Sequence, residues 1–110
     1  MVFYCETCGR EVSLEEGTLS WAELDQCVGE FRITHKTDQN HSCDPSRVAY
    51  IHLWIVTGVT GFAKFIETLA GYWEKGYTLS DAASLKKVIN QISMYIWEKT
   101  NRQRNPERQA

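Results

Sequence analysis

The sequence predicts an α+β chain, in which a small antiparallel β unit is followed by a three-helix unit. Three observations carry that prediction. The stretch from Met1 to Asp44 is turn-rich and holds all four cysteines, Cys5, Cys8, Cys27 and Cys43. After it, apolar residues recur at helical spacing. The pattern changes at Asp44-Pro45, where a capping side chain precedes a ring suited to the first helical turn. The expected organisation is a β-rich subdomain at 1–44, a helical subdomain at 45–100 packed on it, and a disordered basic tail at 101–110.

Each element has a local reason. Val2-Phe3-Tyr4 reads as a short strand entering Cys5, and Gly9 permits a left-handed turn just after Cys8. Glu16-Gly17 reads as a turn. Thr18 to Trp21 reads as a strand with Leu19 and Trp21 on one face. Ser20-Trp21-Ala22-Glu23 fits a capping box, so a short helical turn is expected next, ending before Gly29. Glu30 to Lys36 is a clearer strand, with Phe31, Ile33 and His35 on one face and Arg32, Thr34 and Lys36 on the other.

In the later half, a helix is expected from Pro45 to Thr57, burying Val48, Ile51, Trp54 and Ile55 and stopping at Gly58. Thr60 is the expected cap of a second helix. Its stripe is Phe62, Phe65, Ile66, Leu69, Tyr72 and Trp73, and Gly76 ends it. Ser80 is the expected cap of a third, from Asp81 to about Thr100, with Leu85, Val88, Ile89, Ile92, Tyr95 and Ile96 inward. Trp54, Trp73 and Trp97 fall on or beside these stripes and are expected mostly in the core. Rings at stripe edges also suit a protein interface.

Charge narrows the partners. The 110 residues carry a net charge of −2. Up to Cys43 there are three basic residues against eight acidic ones. An acidic β unit does not suit a phosphate backbone, which counts against nucleic acid as a partner. No apolar run is long enough to span a membrane, and the N-terminus lacks the layout of a secretory signal. A cytoplasmic location is therefore expected, where cysteines serve as ligands or free thiols more than as disulfides.

Cys5-Glu6-Thr7-Cys8-Gly9 is the strongest chemical signal. Two cysteines at this spacing can aim both thiolates at one ion, and the glycine lets backbone amides turn toward the sulfurs. The segment resembles the knuckle of a zinc ribbon over about ten residues. A second CxxC pair, which that pattern carries, is absent. A closed structural zinc site needs four ligands. Cys43 is the expected third, because it lies in a polar loop. His35 is the expected fourth, because its strand face aims it inward. His41, two residues before Cys43, is the alternative to His35, and Cys27 follows it. The expected cofactor is one structural Zn²⁺ per chain.

Other signals carry less. Gly9-Arg10-Glu11-Val12 does not start a helix, as a redox dithiol would need. The run Gly58 to Lys64 lacks the spacing of a phosphate loop and reads as a glycine hinge between helices. His52 reads as a partly exposed helix residue, and Lys86 and Lys87 as solvated. No Ser-His-Asp set, carboxylate pair or HExxH run appears. The sequence therefore suggests a zinc-stabilised binding or interaction domain without catalysis. Its partner would be another protein, or a second copy held through the helical half, the long last helix included. The alternative reading is a nucleic-acid-binding zinc protein, in which the basic tail or the helices would carry the contacts, and a zinc hydrolase with an open metal position is less favoured still.

Overall fold

The computed structural model describes residues 2–37, 43 and 49–104. The fold is α+β, with mainly antiparallel strands and three helices. A two-stranded hairpin opens the chain, β1 (Phe3–Tyr4) against β2 (Glu11–Val12). Next come β3 (Gly17–Leu24) and β4 (Cys27–His35), then β5 (Ala49–His52), α1 (Leu53–Val56) and α2 (Val59–Glu74). The last elements are β6 (Thr78–Leu79) and α3 (Ala82–Arg104). The main sheet has the order β5-β3-β4-β6, and only the β4–β6 pairing is parallel.

The helical turn expected after Trp21 is replaced by a tight hairpin. Asp25 and Gln26 take φ values of 52° and 61°, the left-handed pair of a type I′ connection. Strand β3 therefore continues to Leu24, which pairs with Cys27. A bulge then shifts the register between Ser20 and Ala22, leaving Glu30 and Phe31 opposite Trp21. Glu30 absorbs the extra residue at φ 53°. The bulge explains how Val28 and Phe31, three apart on one strand, both reach the core. A regular strand would put them on opposite faces.

The helix expected from Pro45 to Thr57 is also revised. Its cap, Asp44-Pro45, and Val48 lie outside the described residues. Residues Ala49–His52 form a strand on the free edge of β3, with Ile51 opposite Leu19 and Tyr50 opposite Ser20. Among the described residues of that stretch, only Leu53–Val56 is helical, for one turn. Apolar spacing at 51, 54 and 55 satisfies a helix, but Tyr50, Ile51 and His52 also alternate as a strand. The unpaired N–H and C=O groups of β3 decide the matter.

Both long helices contribute to one core. Phe65 of α2 meets Trp21 and Phe31 at ring-centroid distances of 5.6 and 6.2 Å. Leu85, Val88 and Ile92 of α3 join the same cluster as Leu19, Val28 and Ile33. The Trp21 indole N–H donates to the Tyr72 hydroxyl at 3.1 Å. Thr18, Ser20 and Thr34 lie buried on the opposite side of the sheet.

The helix ends differ from expectation in detail. Gly58, not Thr60, is the N-cap of α2. Asp81, not Ser80, caps α3, accepting from the Ser84 N–H at 3.1 Å. Hydrogen bonds from Ser84 hold the Asp81 carboxyl below its usual range. Ser80 is instead occupied by the sheet, with its N–H donating to Val28 O at 2.9 Å. Gly76 ends α2 at φ 86°, as its place in the sequence requires. The glycine hinge has a steric basis, because a Cβ on Gly61 would sit 1.8 Å from the Ile55 carbonyl oxygen. Residues 101–104, expected in a disordered tail, are instead the end of α3, which continues to Arg104, and 105–110 lie outside the described residues.

Three of the four tryptophans are not core residues. Trp21 is 2% exposed, whereas Trp54, Trp73 and Trp97 are 59%, 40% and 60% exposed.

Candidate metal centre

Cys5 and Cys8 sit in the loop that joins β1 to β2. The loop is a closed turn in which the Cys5 N–H donates to Arg10 O and the Gly9 N–H donates to Cys5 O, both at 2.8 Å. Gly9 stands at φ 78°, which a side chain would resist. The turn aims amides at sulfur. The Thr7 and Cys8 N–H groups lie 3.4 and 3.5 Å from Cys5 Sγ.

His35 arrives from the end of β4, on the inward face with Phe31 and Ile33, and is 2% exposed. Its Nε2 lies 3.1 Å from the Glu11 carbonyl oxygen. A carbonyl only accepts, so Nε2 carries the proton. Nδ1, 3.5 Å from Cys8 Sγ, then keeps its lone pair for a metal. A ligand histidine oriented by a backbone carbonyl is a common second layer of metal sites. Cys43 closes the set, and the Thr7 hydroxyl donates to its carbonyl at 2.9 Å.

The donor atoms of Cys5, Cys8, His35 and Cys43 all lie within 4.8 Å of one another. They are positioned to bind a metal ion, and three sulfurs with one imidazole nitrogen suit zinc in charge and softness. Of the alternatives, His41 lies outside the described residues. Cys27 is at the opposite end of β4, with its sulfur 3.2 Å from the Thr78 hydroxyl.

The thiols differ in acidity. Burial pushes Cys5 up, but hydrogen bonds from Cys8, His35 and Thr7 outweigh it and bring it below the usual value. A hydrogen bond from the Arg10 backbone brings Cys8 down to about 7. Cys43 is pushed up to about 11 by burial and by the two neighbouring thiols. Three thiolates in contact repel one another, so the third proton leaves readily only when a cation replaces it.

One residue of this region carries no ligand signal in the sequence. Glu6 lies between the two cysteines and anchors their loop. One carboxylate oxygen accepts from the Ile33 N–H at 3.0 Å, and the Glu6 N–H donates to Ile33 O at 3.0 Å. The other oxygen meets the Lys87 ammonium at 3.2 Å. Lys87 is therefore engaged, not merely solvated, and α3 is tied to the cysteine loop. Glu6→Ala strands the Ile33 N–H and is expected to cost about 1–3 kcal/mol in urea denaturation. Glu6→Gln, which keeps an acceptor, is expected to recover part of that loss.

His52, expected on a helix, stands in β5. Its ring lies between those of Tyr50 and Trp54, at centroid distances of 5.5 and 6.5 Å. Among the described residues no helix is long and apolar enough to cross a membrane. Compared with family models, with curated proteins and with solved structures, the chain matches none of them.

Proposed function

We propose that this chain is a small interaction domain without catalytic activity, in which one zinc ion at Cys5, Cys8, His35 and Cys43 serves as a structural staple. The observation that carries the reading is the convergence of four donor atoms of zinc-binding type within 4.8 Å. Four protein ligands fill a tetrahedral site and leave no position for a reactive water, which favours a structural ion over a hydrolytic one. The donors come from the β1–β2 loop, the end of β4 and Cys43 between β4 and β5, so the ion would join three separate stretches of chain. Thiolate ligands suit a reducing cytoplasm.

Metal analysis of the purified protein tests this. The expected result is one equivalent of zinc per chain. Cys5→Ser, Cys8→Ser, His35→Ala and Cys43→Ser should each lose most of it, while Cys27→Ser retains it. A wild-type protein without zinc under metal-replete conditions, or a Cys27→Ser variant as depleted as Cys5→Ser, would refute the assignment.

A further inference from the structure

Helix α2 buries Phe65 and Leu69, yet a second apolar line runs along its exposed side. It consists of Val59, Ala63, Ile66, Ala70 and Trp73, spaced four, three, four and three residues apart. That is the spacing of a coiled-coil seam. The seam is open, with Val59, Ile66 and Trp73 at 68%, 42% and 40% exposure and both alanines exposed.

We propose that this seam binds the same seam of a second copy, antiparallel, about a two-fold axis at Ile66. The proposal rests on the interaction-domain reading above, and it names the partner. Its basis is self-complementarity. An antiparallel two-fold places Ile66 on Ile66 at the centre, Ala70 within one residue of the partner copy's Ala63 on either side, and Trp73 on Val59 at both ends, so the large indole meets a smaller side chain there. The small residues let the two helices approach closely.

The ends of the seam complement each other as well. Beside Val59 lies a cleft of about 240 Å³ lined by Thr57, Gly58, Val59, Ile96, Lys99 and Thr100. The two-fold brings the exposed indole of Trp73 to this cleft, once in each direction. A tryptophan entering a pocket is a common energetic centre of an interface. Charge agrees with this register, because Glu74 follows Trp73 and Lys99 stands at the rim of the cleft. A parallel arrangement would instead stack Trp73 on Trp73 and leave the cleft empty. The 16 residues of α2 span only about 24 Å, so the contact is small and an affinity in roughly the micromolar range is expected.

Sedimentation equilibrium of the zinc-loaded full chain, from about one micromolar to about one millimolar, is the test. The mass is expected to rise from 12.7 kDa toward twice that value. Trp73→Ala and Ile66→Glu change exposed side chains, so both should keep the wild-type circular dichroism and metal content. Each should weaken association by at least about thirtyfold. Glu74→Lys and Lys99→Glu should each weaken it several-fold, and the double exchange should restore it. A wild-type chain that stays monomeric throughout would overturn the proposal and leave the seam to a different partner. Dimers unaffected by Trp73→Ala and Ile66→Glu would overturn it too, and so would a charge exchange that fails to rescue. None of these outcomes touches the zinc reading, which is tested separately by metal content and by the effect of chelation on stability.

Discussion

Stripping the proposed zinc ion with a strong chelator is expected to lower the melting temperature by about 15–30 °C. The reasoning is one of linkage. A ligand present a thousandfold above its Kd stabilises the folded state by about 4 kcal/mol, and tight structural zinc sites exceed that ratio at micromolar free metal. For a domain near this size, each kcal/mol corresponds to about 4–8 °C. The loss should fall unevenly. Phe3 and Val12 belong to the main core, so the β1–β2 hairpin has some apolar anchorage without metal. The cysteine loop has far less, with Thr7, Cys8 and Gly9 exposed. Thermal scans by circular dichroism, with and without chelator, measure the shift, and a change below about 5 °C would be incompatible with a staple. The effect should also depend on pH. Cys43 sits at about 11 without metal, so zinc uptake at neutral pH must expel its proton. The zinc-dependent shift is therefore expected to be smaller at pH 6 than at pH 8.

The four donors were legible in the sequence because each had a local reason. The Cys5–Cys8 spacing makes a turn by itself, and the alternation Phe31, Ile33, His35 aims the imidazole inward. Cys43 had no apolar surroundings to account for it. What was not legible depended on distant chain. Glu6 reads as an ordinary surface carboxylate until β4 and α3 supply its partners, Ile33 and Lys87. The strand at Ala49–His52 read as helix because a short apolar run fits both periods. Its pairing with β3, some thirty residues earlier, decided the outcome. The hairpin at Asp25-Gln26 is hidden in the sequence for a related reason. Ser20 and Glu23 offered a capping box, and cross-strand pairing with Cys27, Val28 and Gly29 overrode it.

The same long-range packing gives the second large effect, Phe65→Ala, expected to cost about 3–5 kcal/mol. The ring is fully buried and stands between helix and sheet, against both Trp21 and Phe31. Trp21 and Phe31 stack on each other at 5.7 Å across the bulge. Neither can readily swing into the vacated volume. Trp21 is held through its indole N–H by Tyr72, and Phe31 through its backbone N–H by the Ser84 hydroxyl. A site that cannot collapse keeps its cavity, which places the cost toward the upper part of the range. Phe65→Leu, which returns most of the apolar volume, should recover more than half of the loss. Guanidinium denaturation of the zinc-loaded variants measures both. Phe65 and the cysteine loop share no hydrogen bond among the described residues, so zinc content at low denaturant should remain at the wild-type level. Loss of zinc from folded Phe65→Ala would mean that α2 and the metal loop are coupled, and that the staple and the core are one cooperative unit instead of two adding contributions.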